Sequence, residues 1–286
     1  MLKHLVEIGF PTRNRWGVVR TTLERLADFG LGDVRIVILD DGSDQACPFD
    51  AQAICPGAEI VRHEESRGMI VRRNQIASLM RAKYYLGIDD DSYPVAGSIE
   101  AALAFAESRS DLLSLSFPIY MPRRRMHQVR SLDTEPYPVR GFIGCGHMLH
   151  RETFLALGGF QESFRFFLEE PEVSMRGYLA GHHCYHFPGL SFHHVETSTA
   201  RNWARMDFWG SRNAVLFNDW YLPRGRLTYA KQAAHLLVRL WLAVSTRRIG
   251  HLKGYFAGMG SIKGAKNRRA PMTNAQYRRW RALPAT

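Results

Sequence analysis

The stretch of residues 84–94, Tyr-Tyr-Leu-Gly-Ile-Asp-Asp-Asp-Ser-Tyr-Pro, constrains the fold of this chain most strongly. Its apolar start runs into three carboxylates and a proline, which is typical of a buried strand that ends in a turn. Ligands of α/β proteins bind beyond the carboxyl ends of such strands. In an extended backbone the side chains of Asp89 and Asp91 share one side, while Asp90 points to the other. Two carboxylates on one side can bind a divalent cation, and an acidic surface turn is the alternative.

Strand-like and helix-like patterns alternate through the first 110 residues. Apolar runs predict strands over residues 4–9, 35–39, 59–62 and 84–88. Apolar residues at helical spacing predict a helix that begins at Trp16, a second over residues 67–81 and a third over residues 96–108. This alternation predicts an α/β fold with a mostly parallel sheet flanked by helices.

The second half of the chain is less regular. The patterns predict strands over residues 112–117 and 183–187, a short helix over 151–157 and a helix to residue 180 after an acidic stretch. A proline-rich loop is expected over residues 118–140 and a glycine-rich approach to a ligand over 141–146. The last third reads as helical, with segments over residues 199–222 and 227–244.

Length and composition limit the possible classes of protein. A chain of 286 residues, 45% hydrophobic, can form one large domain or one domain with an appendage. It has neither an uninterrupted apolar run long enough to span a membrane nor a signal sequence at its start, so a cytoplasmic location is expected. The cysteines show no ligand spacing and are expected to be reduced, incidental thiols: Cys47, Cys55, Cys145 and Cys184.

Positive charge is concentrated in the last third of the chain. Residues 201–286 contain 17 Lys and Arg against two Asp, a net charge of +15, so the first 200 residues carry −4 of the total of +11. Five of the six tryptophans also lie in this basic part. Such asymmetry indicates an anionic partner surface, either phospholipid or nucleic acid.

Short polar blocks follow the predicted strands in a characteristic order. In the first half they are Pro11-Thr12-Arg13-Asn14-Arg15, Asp40-Asp41-Gly42-Ser43, Arg67-Gly68 with Arg73-Asn74, and Asp89-Asp90-Asp91. In the second half they are Gly158-Gly159-Phe160, Glu169-Glu170 ahead of Arg176, and His193-His194. This ordered set, which covers about two thirds of the chain, resembles a GT-A-fold, family 2 glycosyltransferase of the inverting, bacterial type. The resemblance implies a Rossmann-like, mixed but mostly parallel sheet.

The resemblance implies that the first blocks bind a nucleoside-diphosphate sugar linked to UDP, dTDP or GDP. Asp41 would contact the base, although Asp-Gly-Ser is also an ordinary turn sequence. The residues expected at this donor site are Pro11, Thr12, Arg13, Asp41, Arg67, Arg73, Asp89 and Asp90. Arg67 and Arg73 begin a helix and suit phosphate, with a solvated basic helix face as the alternative.

The same resemblance makes the aspartate triplet an Asp-x-Asp motif for Mn²⁺ or Mg²⁺. Asp91 would bind the metal directly, and Asp89 would contact ribose or metal-bound water. His194 lies where some family members supply a further ligand, and the adjacent His193 remains open. A structural histidine after a strand is the alternative.

The acidic stretch before a helix supplies the candidate general base. The family places this carboxylate at the second residue of an acidic pair, which here is Glu170, with Pro171 suited to the first helical position. The helix N-terminus is expected to favour the ionised carboxylate. Glutamate replaces the usual aspartate, so Glu169 and Glu172 stay open as alternatives. The implied reaction is inverting transfer to a glycan or lipid-linked acceptor.

The basic C-terminal part has a pattern of its own. Residues 227–244 are amphipathic, with Leu and Trp opposite Lys and Arg, which suits a position in the plane of a membrane surface or ordinary packing on the core. Binding to the anionic inner face of a membrane is therefore a further expectation. The predicted division is a GT-A domain over residues 1–225, with donor and acceptor halves 1–110 and 111–225, and a basic helical extension over 226–286.

Two other classes compete with this interpretation. A nucleic-acid-binding protein would use the basic end, but the sequence contains no nucleic-acid-binding motif and no nucleic acid is expected as a partner. A nucleotidyltransferase would share the sheet and the acidic metal site. Such enzymes open with a glycine-rich basic loop, whereas this chain has Pro-Thr-Arg-Asn-Arg at that place.

Overall fold

A computed structural model describes residues 2–196 and 203–286 of the chain. The first half alternates strands and helices. These elements are β1 (Val6–Thr12), α1 (Trp16–Asp28), β2 (Ile36–Asp41), β3 (Ala58–His63), α2 (Met69–Leu79), β4 (Tyr84–Gly87), β5 (Ser92–Gly97) and α3 (Ile99–Glu107). The apolar runs therefore form the predicted strands. Strand β1 begins later than expected because residues 2–5 form a 3-10 turn, and it continues to Thr12.

The second half contains shorter strands and more helices. Its elements up to the gap are β6 (Leu112–Ser116), β7 (Ile119–Met121), β8 (Met126–Val129), β9 (Tyr137–Val139), β10 (His147–His150), α4 (Arg151–Ala156), α5 (Glu169–Leu179), β11 (His183–His186) and β12 (Leu190–His194). The stretch expected to be a structureless loop thus contains three short strands: β7 pairs with β12, β9 pairs with β11, and β8 pairs antiparallel with the nearby β7.

The main sheet has eight strands in the order β3-β2-β1-β4-β10-β6-β11-β9. The pairs among β3, β2, β1 and β4 are parallel, and β10 is inserted antiparallel between β4 and β6. The strand residues alternate between two cores, one on each face. Helices α1 and α3 pack on one face, and α2, α4 and α5 pack on the other. This is the mixed, mostly parallel α/β architecture that the sequence predicts.

A second sheet brings distant segments to the aspartate triplet. Its four strands run in the order β5-β12-β7-β8. β5 continues directly from the triplet and pairs antiparallel with β12, so that Ser92 lies opposite His194. The last residue of β12 is therefore placed next to the acidic turn.

The C-terminal part is helical and contacts the rest of the chain. It contains α6 (Trp203–Tyr221), α7 (Arg226–Thr246), α8 (Gly250–Ser261) and α9 (Asn274–Ala282). Residues 199–202 of the first predicted helix lie outside the described residues. The end of the chain returns to the body, where the Pro284 carbonyl accepts a hydrogen bond from the Arg140 amide at 3.0 Å. Within the described ranges, no helix is long and apolar enough to cross a bilayer.

Candidate active site

The three aspartates form a turn between β4 and β5 and do not extend the strand. The Ser92 amide donates to the Asp89 carbonyl at 3.1 Å, and the Ser92 hydroxyl accepts from the Asp89 amide at 2.8 Å. The strict alternation of side chains expected for an extended backbone is therefore absent, and each carboxylate has its own surroundings.

Arg15 holds two of these carboxylates together. Its guanidinium lies 2.5 Å from Asp90 and 2.6 Å from Asp91. Thr12, at the end of β1, donates its hydroxyl to Asp90 at 2.7 Å. Burial, reinforced by the charge of Asp91, raises the pKa of Asp90 to about 7 despite Arg15. The first predicted block thus contacts the triplet directly, through Thr12 and through Arg15.

Asp91 is the carboxylate that faces His194. Burial would raise its pKa, but the hydrogen bond from His194 and the charge of Arg15 hold the pKa of Asp91 well below its usual range. The His194 Nε2 atom lies 3.4 Å from the Asp91 carboxylate. Burial opposes protonation of His194, but Asp91 and Asp89 raise its pKa overall. His193 instead packs its ring against Tyr93 and Tyr120.

A group of potential metal ligands lies at this point. Within the described part of the chain, Asp89, Cys145 and His194 each offer a ligand atom, and these atoms all lie within 4.8 Å of one another. Asp91 joins the group through His194. Carboxylate oxygen, imidazole nitrogen and sulfur are donors that divalent cations accept, so the residues present fit a bound metal ion.

Arg73 links the metal side of the site to the predicted base. Its side chain, on α2, is only 2% exposed and lies 2.6 Å from Asp89. The same guanidinium lies 3.5 Å from Glu169 and 3.4 Å from Glu170. One buried cation therefore contacts three carboxylates from two elements. Its predicted contact with the donor stays a prediction.

The three candidate bases have different surroundings at the start of α5. The carboxylate of Glu172 is bound by Arg176 and by the Tyr221 hydroxyl, both at 2.6 Å. Among the side chains of the acidic pair, Glu169 is 3% exposed and Glu170 is 16% exposed. Glu170 is thus the carboxylate that a substrate can reach most readily.

The pKa of Glu170 is shifted in the direction opposite to the one expected from its place at a helix N-terminus. Burial raises its pKa, and Arg73 and a backbone hydrogen bond offset this in part. We expected the helix N-terminus to favour the ionised form, but burial outweighs that effect. In addition, α5 begins at Glu169, so Pro171 is the third helical residue and not the first.

The glycine-rich segment before β10 approaches the carboxylate of Glu170, the candidate general base. A Cβ atom at Gly144 would lie 2.4 Å from the Glu170 carboxylate and 2.5 Å from the Arg73 guanidinium. Only a residue without a side chain allows this approach. The segment 141–146 thus packs its backbone over the buried charges.

Asp41 ends β2 and is bound by the loop that leads into α2. Its carboxylate accepts hydrogen bonds from the Ser66 hydroxyl, the amides of Arg67 and Gly68, and the Arg72 side chain. Burial alone would raise the pKa of Asp41, but these four donors together lower it. A carboxylate has about four lone-pair positions, so all of them are occupied here. The Arg13 and Arg67 side chains are exposed. Pro11, which precedes Arg13 in the same sequence block, is half-buried.

The geometry defines an α/β protein with an acidic, cation-binding site at the carboxyl ends of parallel strands. Residues 7–161 match the family model described as glycosyl transferase family 2. The chain belongs to glycosyl transferase family 2. A comparison with curated protein sequences gives no match.

Solved structures that resemble this chain include GT-A glycosyltransferases. GalNAc-T7 with UDP, GalNAc and Mn²⁺ is 15% identical with a TM-score of 0.57, covering 68% of this chain and 43% of its own. S. aureus TarS (residues 1–349) with UDP-GlcNAc is 15% identical, with a TM-score of 0.57 and coverage of 91% and 81%. Mannosyltransferase PcManGT from Pyrobaculum calidifontis, with GDP-Man and Mn²⁺, is 12% identical, with a TM-score of 0.55 and coverage of 93% and 76%. The chain thus spans less than half the length of GalNAc-T7.

Four residues that line the site were not among those predicted for it from the sequence. They are Arg15, Arg72, Gln128 and Cys145. Arg15 stands in a block that was recognised, so its position after β1 was the available signal. Gln128 lies on β8, where its Oε1 atom accepts a hydrogen bond from His194 Nδ1 at 2.8 Å. Its role depends on strand pairing that local patterns do not reveal.

Proposed function

We propose that this protein transfers a sugar, with inversion, from a nucleoside-diphosphate sugar to an acceptor hydroxyl in a metal-dependent reaction. The observation that carries the proposal is the position of Arg73, which contacts Asp89 on the metal side and Glu170 on the acceptor side. A candidate cation site and an accessible carboxylate are thereby held next to one another. That is the arrangement that a single displacement between donor and acceptor needs.

The proposed role of Glu170 is that of general base. Its carboxylate accepts the proton of the acceptor hydroxyl while the hydroxyl oxygen forms a bond to the anomeric carbon. The bond from that carbon to the diphosphate oxygen breaks in the same step, and its electron pair leaves with the nucleoside diphosphate. Attack from the side opposite the leaving group inverts the anomeric configuration. A raised pKa suits this role because it makes the carboxylate a stronger base.

Asp91, Asp89 and His194 are the proposed metal ligands, for Mn²⁺ or Mg²⁺. A divalent cation bound there would stabilise the negative charge that develops on the leaving diphosphate. The hydrogen bond to Gln128 supports this assignment for His194, because it keeps a proton on Nδ1 while a bound metal ion would replace the Nε2 proton that faces Asp91. Arg15 neutralises part of the charge of Asp90 and Asp91 and fixes their orientation.

The donor contacts remain those implied by the sequence. We propose that residues near β1 and the β2 end bind the nucleoside and the phosphates: Pro11, Thr12, Arg13, Asp41, Arg67, Arg73, Asp89 and Asp90. UDP and GDP sugars occur in the structural relatives named above, which supports UDP-, dTDP- or GDP-linked donors here. For Asp41, a base contact requires one of its four loop hydrogen bonds to be exchanged. The acceptor is proposed to be a glycan or a lipid-linked glycan.

A thermal-shift panel tests the donor and the metal together. We expect the wild-type protein to gain thermal stability with one nucleoside diphosphate in the presence of Mn²⁺, and to gain less without the metal, because binding only to the folded state stabilises it. Asp91→Asn should lose the Mn²⁺-dependent part of the shift. Arg20→Met, on the exposed side of α1, is the control and should behave as wild type. A panel in which no nucleotide shifts the wild-type protein contradicts the proposal.

We also propose that the C-terminal helices bind the anionic inner face of a membrane. On α7, Leu237, Trp241 and Val244 lie at helical spacing on one face, and Trp241 and Val244 are 67% and 78% exposed. Helix α8, which packs against α7, adds exposed Phe256 and Met259. Arg247, at the junction of α7 and α8, and Lys253, on α8, are also exposed. Exposed apolar and basic side chains together suit an anionic lipid surface.

Flotation with vesicles tests this binding on the full chain. Residues 226–286 contact the body, so point substitutions are preferable to truncation. Trp241→Ser with Val244→Ser should weaken flotation with anionic vesicles by at least about tenfold, because insertion buries both side chains. Leu132→Ser removes an equally exposed apolar side chain, 73% accessible, from a distant loop and should have no effect. Equal flotation of the double variant and the wild type rejects the membrane proposal.

A further inference from the structure

Cys145 lies at the candidate metal site, within the glycine-rich segment 141–146 that the sequence predicts to approach a ligand. Its side chain is buried, and its sulfur is one of the three ligand atoms that lie within 4.8 Å of one another. The other two belong to Asp89 and His194. The sequence predicts an incidental thiol here, whereas the fold places its sulfur beside two potential metal ligands.

Gln128 connects the thiol to the histidine. Its Oε1 atom accepts the hydrogen bond from His194 Nδ1 at 2.8 Å and lies 3.6 Å from Cys145 Sγ, which donates to it. One amide oxygen therefore fixes the orientation of both side chains. Such an outer hydrogen bond is the usual device that orients a metal ligand. The sulfur and the Nε2 atom of His194 are both held near the aspartates.

The surroundings of Cys145 differ from those of the other buried thiols. Cys55 donates to a helix carbonyl, that of Leu23, and Cys184 to the hydroxyl of Ser174. Burial raises the pKa of the Cys145 thiol, with Asp89 adding to the effect and Arg73 opposing it. The preceding residue, Gly144, packs its backbone against Arg73 and Glu170. The Cys145 thiol thus faces charged groups of the site, whereas an ordinary core cysteine does not.

We propose that Cys145 is a ligand of the divalent cation at this site and that its sulfur makes the site prefer Mn²⁺, Co²⁺ or Zn²⁺ over Mg²⁺. This inference rests on the metal-dependent transfer proposed above. On binding, the thiol proton is released to solvent and the sulfur lone pair bonds to the metal. Magnesium prefers oxygen donors and forms weak bonds to sulfur, whereas the other ions accept sulfur readily.

Cobalt titration of the full-length protein tests the ligand directly. With Co²⁺ and the nucleoside diphosphate found in the thermal-shift panel, the wild-type protein should develop the near-ultraviolet band of a thiolate bound to Co²⁺. Cys145→Ser should lose this band, and Cys184→Ser, which removes another buried thiol, should retain it. Should Cys145→Ser fail to fold, His194→Gln gives the same discrimination, because the band must weaken if one metal ion binds both residues.

Competition between metal ions distinguishes a failure of the Cys145 assignment from a failure of the proposed metal site. The wild-type protein should bind Mn²⁺, detected by loss of the free-ion paramagnetic signal, and excess Mg²⁺ should displace it poorly. In Cys145→Ser, Mg²⁺ should compete more effectively. Binding of Mn²⁺ and Co²⁺ without a thiolate band overturns the role of Cys145 and leaves the metal site intact. Failure of Mn²⁺ to bind at all overturns the metal site itself.

Discussion

Replacing Glu170 with glutamine is expected to lower kcat for sugar transfer by about 10²- to 10⁴-fold, the usual contribution of a general base. Glutamine keeps the size of the side chain but cannot take a proton from the acceptor. The donor should still bind, because the substitution leaves Asp89, Asp91 and His194 in place. Release of the nucleoside diphosphate at saturating donor and acceptor measures kcat, and the thermal shift with the nucleotide measures donor binding.

The pH dependence of the wild-type enzyme gives a second measurement on the same residue. A general base acts in its ionised form, so kcat should rise as the pH rises through the pKa of Glu170. Burial raises that pKa, which places the acid limb above the ordinary glutamate value of about 4.3. In Glu170→Gln the residual rate should lack this limb.

The neighbouring residue supplies the matched control. Glu169 has the same chemical group at the same helix end, but it is almost completely buried. Burial, together with the charge of Glu170, also raises the pKa of Glu169. Because glutamine resembles a protonated glutamate, Glu169→Gln should change kcat far less. A near-normal kcat in Glu170→Gln, or an equal loss in both variants, argues against Glu170 as the base.

The first four strands of the main sheet were predictable because their signals are local, whereas β9, in the stretch expected to be a loop, and β10 were not predicted. Strands β1 to β4 are apolar runs that end in polar blocks, and α1 shows a clear helical period, so period and turn residues suffice to identify them. The second sheet was not predictable. Its strands β7 and β8 have only three and four residues, too few for a periodic pattern, and β7 forms by pairing with the distant β12 while β8 pairs with β7.

The candidate site shows the same division between local and distant information. The aspartate triplet, Glu170 and His194 were found because each follows a strand or begins a helix in a recognisable block. The contacts among them were not, because Arg73 meets Glu170 across 97 positions of sequence and Arg15 meets Asp91 across 76. The saturated carboxylate of Asp41 illustrates the limit. Its sequence position suggests a free ligand, and only the fold reveals four internal donors.

Replacing Arg73 with methionine is expected to lower the free energy of unfolding by about 3–5 kcal/mol at about pH 9. Methionine fills much of the arginine volume but leaves Asp89, Glu169 and Glu170 without their buried cation. Removing one partner from a buried ionic cluster has this cost because the remaining charges stay desolvated and repel one another. Urea unfolding measures the difference, and an unchanged slope with denaturant shows that both variants unfold by the same transition.

The loss should depend on pH in a defined direction. Burial already raises the pKa values of Glu169 and Glu170 in the folded protein, and removal of Arg73 raises them further. A group whose folded pKa is raised contributes stability at low pH that is lost as the pH rises through that pKa. The penalty of Arg73→Met should therefore increase with pH, from small at about pH 6 to large at about pH 9, because the pKa of Glu169 is already about 8 beside Arg73.

The adjacent residue on α2 provides the comparison that isolates the charge cluster. The Arg72 side chain is as buried as that of Arg73, at 2% exposed for each, but it pairs with one carboxylate, Asp41. Asp41 keeps three other donors when Arg72 is removed. Arg72→Met should therefore destabilise the protein with little change between the two pH values. If Arg73→Met shows the same flat pH dependence, Arg73 does not stabilise the three carboxylates in their ionised form. In that case Arg73 does not link the metal site to the general base.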